Sequence, residues 1–172
     1  MSSLPIILLG PVRAGKTTLA RLLSQHLKLP HVSLDEVCLT YYREIGYSDE
    51  LAKQIRAQGG FLALVFYQQL FDVYSVERVI NDYPNTVIDF GAGAGPYENR
   101  AQLNQIQVFL APIPNIFLIL PSPDLEMTLA ILSQRDVNPP YDLIFDINRH
   151  FVTHPGYRLL AKHVIYNQNK TP

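Results

Sequence analysis

At 172 residues and 19.5 kDa the chain fits one domain, because a second would need roughly another 100 residues. Nearly half of it (48%) is apolar and only 17% is charged, a core-forming composition rather than that of a disordered chain. Fourteen Lys and Arg against fifteen Asp and Glu leave a net charge of -1, so nothing global draws it to nucleic acid or to an anionic membrane.

Met1 to Leu9 is apolar but lacks a basic leader and is too short to span a bilayer. Within it, the continuous apolar run Pro5–Leu9 ends at Gly10, as a strand buried on both faces would read. Leu19, Ala20, Leu22, Leu23 and Leu27 then recur at helical spacing over Thr17 to Leu27. His31 to Leu34 reads as a second strand with Asp35 at its carboxyl end. From Glu36 to about Tyr83 the pattern is helical in two or three pieces, broken at Gly46 and at Gly59-Gly60. Thr86 to Phe90 is a β-rich run that stops at Gly91. Helix is expected over Glu98 to Leu110, strand over Ile116 to Leu120 and helix over Leu125 to Arg135. Tyr141 to Val152 reads as helix and His163 to Tyr166 as a closing strand. The apolar stretch Val108 to Leu120 is interrupted by Pro112, Pro114 and Asn115, so it is no membrane span. The single cysteine, Cys38, excludes an internal disulfide, and no Cys/His group has zinc spacing. The expectation is a soluble, cytoplasmic, single domain over residues 1–172.

Strands alternating with helices imply crossover units: a three-layer α/β domain with a central parallel sheet. Such sheets bind ligands beyond the carboxyl ends of their strands. Gly10, Asp35, Asp89 and Gly91 all fall at such ends, which points to a shared site.

The sharpest motif is Gly10-Pro11-Val12-Arg13-Ala14-Gly15-Lys16-Thr17, which fits the phosphate-binding pattern G-x-x-x-x-G-K-[ST] (Walker A) without a mismatch. Small residues let successive backbone N–H groups curl around a phosphate, and the following helix aims its positive end at the same anion. Lys16 bridges the outer phosphates in this reading, and the Thr17 hydroxyl ligates Mg²⁺. Arg13 either contacts phosphate or is solvated, and Thr18 either lies near the α-phosphate or is a first-turn helix residue. Two carboxylates follow. Asp89, closing Val87-Ile88-Asp89, stands where an acid either orders Mg²⁺-bound water or caps the next turn. Asp35 either accepts the proton of an attacking hydroxyl, holds substrate hydroxyls, or caps the helix that follows it.

Gly10 to Thr18, His31-Val32-Ser33-Leu34-Asp35 and Val87-Ile88-Asp89-Phe90-Gly91-Ala92-Gly93-Ala94 together resemble the shikimate kinase branch of the P-loop small-molecule kinases. Asn99-Arg100 matches a helix start that these kinases carry, and the order is kept over most of the chain. The resemblance implies ATP and Mg²⁺, a five-stranded parallel sheet, a mobile lid at about 135–141, and phosphorylation of a small-molecule hydroxyl. It implies that Asp35 holds the acceptor's hydroxyls and that Gly91, Ala92 and Gly93 form a turn facing the acceptor. Arg135 corresponds to the first lid arginine, and Tyr157-Arg158 to the segment with a carboxylate-binding arginine. There are departures: Ser33 replaces the first aspartate of a pair, Ala92 replaces a glycine, and Asp89 is extra, as in nucleoside monophosphate kinases. Between Ile55 and Asn85 the only arginines are Arg56 and Arg78, neither in a shikimate kinase context. The chain stops at Pro172, where relatives usually add a helix.

Lys16, Asp35 and Arg135 are therefore the expected catalytic set; Arg135 either stabilises a transferring phosphoryl group with its guanidinium fork or is a C-terminal cation favoured by the helix dipole. Arg158 is either a substrate contact or a solvated surface residue. The stripe of Phe61, Phe66, Tyr67, Phe71 and Tyr74 reads as packing that could also wall a pocket. The functional expectation is ATP·Mg²⁺-dependent phosphoryl transfer to a small metabolite. The alternatives are a nucleotide-binding module without transfer and a plain ATPase. Radiolabelled ATP and a metabolite library would separate them.

Overall fold

The computed structural model describes residues 4–135 and 147–168. Five strands, β1 (Ile6–Leu9), β2 (His31–Ser33), β3 (Val87–Asp89), β4 (Ile116–Leu120) and β5 (His163–Tyr166), form one parallel sheet in the order β2-β3-β1-β4-β5. The helices are α1 (Lys16–Leu27), α2 (Leu34–Glu44), α3 (Asp49–Asp82), α4 (Arg100–Leu110), α5 (Leu125–Gln134), α6 (Ile147–Thr153) and α7 (Gly156–Leu160). The three-layer parallel α/β arrangement is the one that the alternating pattern implied.

Side chains alternate across each strand and so divide the core in two. Ile7, Leu9, Ile88, Ile116, Leu118 and Leu120 face one layer, where they pack with residues of α2, α3, α4, α6 and α7. Leu8, Val87 and Ile119 face the other, with Ala20 of α1 and Leu132 of α5. Burying an aliphatic side chain such as Ile88 stabilises the fold by about 1.5–3 kcal/mol, and both faces of the sheet contribute in this way.

β1 is central, with β3 on one side and β4 on the other. The chain leaves it toward β2 and later returns to its opposite flank. This reversal opens a crevice at the carboxyl end of β1. The register pairs Leu8 and Ser33 with Asp89, so Gly10, Asp35 and Gly91 emerge along one edge.

Helix starts follow local chemistry. Ser48, Asn99 and Asp124 cap α3, α4 and α5, their side chains accepting first-turn N–H groups at 3.2, 2.9 and 2.7 Å. Two expectations shift. Asp35 is not a cap: α2 starts at Leu34, Ser33 takes the cap position, and Asp35 lies in the first turn, where the helix dipole favours an acid. The expected long helical region separates at Gly46, whereas Gly60 (φ 72°) kinks α3. The short α7 is additional to the elements expected from sequence. Part of the helix expected over 141–152 is α6; residues 141–146, and all of the lid expected over about 135–141 except Arg135, lie outside the described residues.

Candidate functional site

Between β1 and α1 the backbone of Gly10–Thr17 turns through positive φ at Gly10 (148°), Arg13 (63°) and Gly15 (92°). A β-carbon at Gly10 would stand 2.5 Å from the Ile119 carbonyl oxygen, so no larger residue fits there. No side chain caps α1, which leaves its first-turn N–H groups for another partner. The loop is held from outside. Val12 N donates to Asn148 Oδ1 at 3.0 Å, and Asn167 Nδ2 donates to the Ala14 carbonyl at 2.8 Å. The buried Tyr157 hydroxyl lies within reach of the Gly10 carbonyl (3.0 Å) and the Ala92 carbonyl, tying the loop to the turn after β3.

Lys16 is buried and donates from Nζ to the Pro11 carbonyl at 2.9 Å. Desolvation lowers its pKa; the negative charges of Asp89 and Asp35 oppose that shift. A cation this deep, whose hydrogen-bond partner among the described residues is a loop carbonyl, is suited to take an anion. Asp89 points to the α1 side of the sheet, the same side as Val87, where its Oδ2 accepts from Thr17 Oγ1. Its Oδ1 is buried with no hydrogen-bond partner among the described residues. Desolvation raises the pKa of Asp89, with Thr17 and Lys16 counteracting. An orphaned carboxylate oxygen beside a threonine hydroxyl is a donor set that suits a hydrated Mg²⁺.

Asp35 lies across the sheet edge from Asp89. Its carboxylate rests directly on Gly91, where a β-carbon would overlap Oδ1. Asp35 is open to the cleft, yet the protein around its carboxyl raises its pKa, as does Asp89, against the lowering effect of Lys16.

Lys16, Thr17 and Asp35 border one cavity of about 350 Å³. The loop supplies Val12 and Arg13 as well, and the turn after β3 supplies Gly91 to Ala94. α2 lays Asp35, Cys38, Leu39 and Tyr42 along it, spaced as one helix face. α3 does the same with Phe61, Val65, Gln68 and Asp72. At the far end the buried Asp72 accepts a hydrogen bond from the Tyr42 hydroxyl, and desolvation pushes its carboxyl up to about 7. Desolvation likewise pushes the Cys38 thiol up to about 12, so it stays protonated. Among the described residues, the cations lining the cavity are Lys16 and Arg13.

Sequence reasoning reached Arg13, Lys16, Thr17, Asp35, Asp89 and the 91–93 turn, and the fold brings them together. Gly10, Pro11, Ala14 and Gly15 shape the loop, while Thr18 is exposed on the first turn of α1. Two arginines expected at the site are not among the residues lining the cavity. Exposed Arg135 donates to the Arg13 carbonyl at 3.1 Å and Arg13 donates to the Arg135 carbonyl, so the pair fastens the end of α5 to the loop. Arg158 is exposed and lines a separate cleft with Ser122 and Asp124; its neighbour Tyr157 takes the inward direction of α7. Conversely, Tyr42, Gln68 and Asp72 were not singled out from sequence. The available signal was a carboxylate in helical phase with Phe61 and Val65, on the stripe read as packing.

Similar arrangements occur in known structures. A shikimate kinase from Acinetobacter baumannii in complex with shikimate superimposes with a TM-score of 0.57 at 18% identity, covering 99% of this chain and 86% of that one. The Aquifex aeolicus shikimate kinase gives 0.56 at 20% identity, covering 98% and 89%. This chain has the shikimate kinase fold. A third shikimate kinase, from Bacteroides thetaiotaomicron, also gives 0.56 at 18% identity, covering 95% of this chain and 86% of that one. No protein-family model and no curated protein matches the sequence.

Proposed function

We propose that this chain is an ATP- and Mg²⁺-dependent phosphotransferase that moves the γ-phosphoryl group of ATP to a hydroxyl of a small molecule. The observation that carries this reading is that one cavity joins the loop around Lys16 to the Asp35 carboxylate resting on Gly91. An anion site and a group able to accept a hydroxyl's proton thus share one space.

In this reading the loop amides, the start of α1 and Lys16 hold the phosphates, with Arg13 beside them. Thr17 and Asp89 would hold Mg²⁺, which when bound supplies charge neutralisation on the outer phosphates. Asp35 holds the acceptor hydroxyl and takes its proton. The hydroxyl oxygen bonds the γ-phosphorus, the bond from that phosphorus to the β–γ bridging oxygen breaks, and ADP leaves with the electron pair. Catalysis is mostly positioning and electrostatic stabilisation. Arg135 acts here through the Arg13 backbone, as a positioning residue.

Radiolabelled ATP supplied with a library of hydroxylated metabolites tests the reading. Label should pass to an acceptor with the wild type, and Asp35→Asn should lower the rate by about 10²–10⁴-fold while nucleotide binding persists. Tight nucleotide binding with no transfer to any acceptor would favour a module that binds without transfer. Release of phosphate without an acceptor would favour a plain ATPase.

A further inference from the structure

The acceptor end of the cavity carries an unusual charge. Along α2, Asp35 and Tyr42 are separated by seven residues, about 10 Å of helix, so the cavity reaches well beyond the loop. At its far end stands Asp72, 4% exposed, with Oδ1 accepting from Tyr42. The Tyr42 hydroxyl is the side-chain hydrogen-bond partner of this carboxylate among the described residues, and Asp72 lines the cavity. A carboxylate this deep that borders a cavity, with a tyrosine hydroxyl and no cation beside it among the described residues, has room for a cationic partner.

The arginines that could have served the opposite purpose are engaged elsewhere. On α3, Arg56 lies over the Phe61 ring at 5.7 Å and is exposed, while Arg78 pairs with Glu44 and Asp82 on the outer side. Arg43 pairs with Asp49, and Arg149 pairs with Glu126. In sequence, residues 136–146 hold Asp136, Asp142 and Asp146 but neither Lys nor Arg. Lys16 and Arg13 belong to the phosphate end. The titratable groups around Asp72 are Tyr42 and Cys38 of α2, Asp35 and Tyr97, all of them acids.

We infer that the acceptor taken by this cavity is a hydroxylated amine, with its hydroxyl at Asp35 and its cationic nitrogen held by Asp72 and Gln68. The hydroxyl half of this inference rests on the phosphotransfer reading above; the amine half rests on the cavity alone. An anionic acceptor would bring a carboxylate to a carboxylate. An ammonium gives Asp72 a cationic partner beside Tyr42 and draws a carboxyl held at about 7 back to the ionised form.

The test is calorimetry on the full chain saturated with Mg²⁺ and a non-hydrolysable ATP analogue. The probes are matched sets: D-glucosamine and 2-amino-1,3-propanediol, their N-acetyl forms, and the carboxylates D-glucuronate and shikimate. The amines should bind at least about tenfold more tightly than their N-acetyl forms and than the carboxylates. Asp72→Asn, which can still accept from Tyr42, should remove that margin. Gln68→Arg, at a half-buried position, should turn the preference toward carboxylates. Tighter binding of neutral or carboxylate probes, binding of no probe, or an unchanged margin in Asp72→Asn overturns the inference. If amines bind as stated yet accept no label from ATP, the transfer reading fails and the amine assignment stands. If label passes to shikimate alone, the amine assignment fails and the transfer reading stands.

Discussion

The carboxylate of Asp35 occupies the space that a side chain at Gly91 would need: a β-carbon there would overlap Oδ1 and stand 2.7 Å from Cγ. The first turn of α2 and the turn after β3 are thereby locked in mutual position. Glycine is required at 91 for this close approach, not for an unusual φ. Gly91→Ala should therefore push the Asp35 carboxylate aside. Steady-state kinetics should show kcat lowered by about 100-fold with nucleotide affinity nearly unchanged, since a misplacement of about 1 Å costs that much. Equal activity in the variant would show that Asp35 need not sit on Gly91.

Asp72 makes stability depend on pH in an unusual direction. Its carboxyl is held at about 7, against an ordinary value of 3.8. Between those values the folded protein keeps a proton that the unfolded chain has released. Raising the pH through this window therefore lowers stability, by at most about 1.4 kcal/mol per pH unit, and the loss levels off above 7. Asp72→Asn has no such proton. Its urea midpoint should fall less than that of the wild type between about pH 5 and about pH 8. Parallel curves for the two proteins would contradict the burial of an ionisable Asp72.

The reciprocal contact of Arg13 and Arg135 ties the end of α5 to the loop through backbone carbonyls. Arg135→Ala should weaken nucleotide binding by less than about tenfold, the worth of one exposed charge-assisted hydrogen bond, and kcat should follow no further. A collapse of kcat at unchanged affinity would restore Arg135 to direct contact with the transferring group.

Local signals carried most of the sheet. The apolar run Ile116–Leu120 became β4 without adjustment, because a buried parallel strand reads as a continuous apolar segment, and His163–Tyr166 became the more exposed edge strand β5. Asp35, Asp89 and Gly91 were legible as a group because each follows a strand and parallel strands end on one edge. Asp72 was not. Its meaning depends on the packing of α3 against α2, which brings it to Tyr42 from 30 positions away. The contact of Arg135 with the Arg13 carbonyl was not legible, because that carbonyl lies 122 residues distant. The five-residue α7 after Pro155 is too short to show periodicity, so the inward turn of Tyr157 and the outward turn of Arg158 were invisible.

Calorimetric titration of wild type and Lys16→Ala with Mg²⁺ and ADP tests the loop assignment at its root. The wild type should bind with micromolar or tighter affinity, and the variant at least about 100-fold more weakly, since it loses the one deeply placed cation of the loop. No heat of binding in the wild type, or equal affinity in the two proteins, would contradict the account.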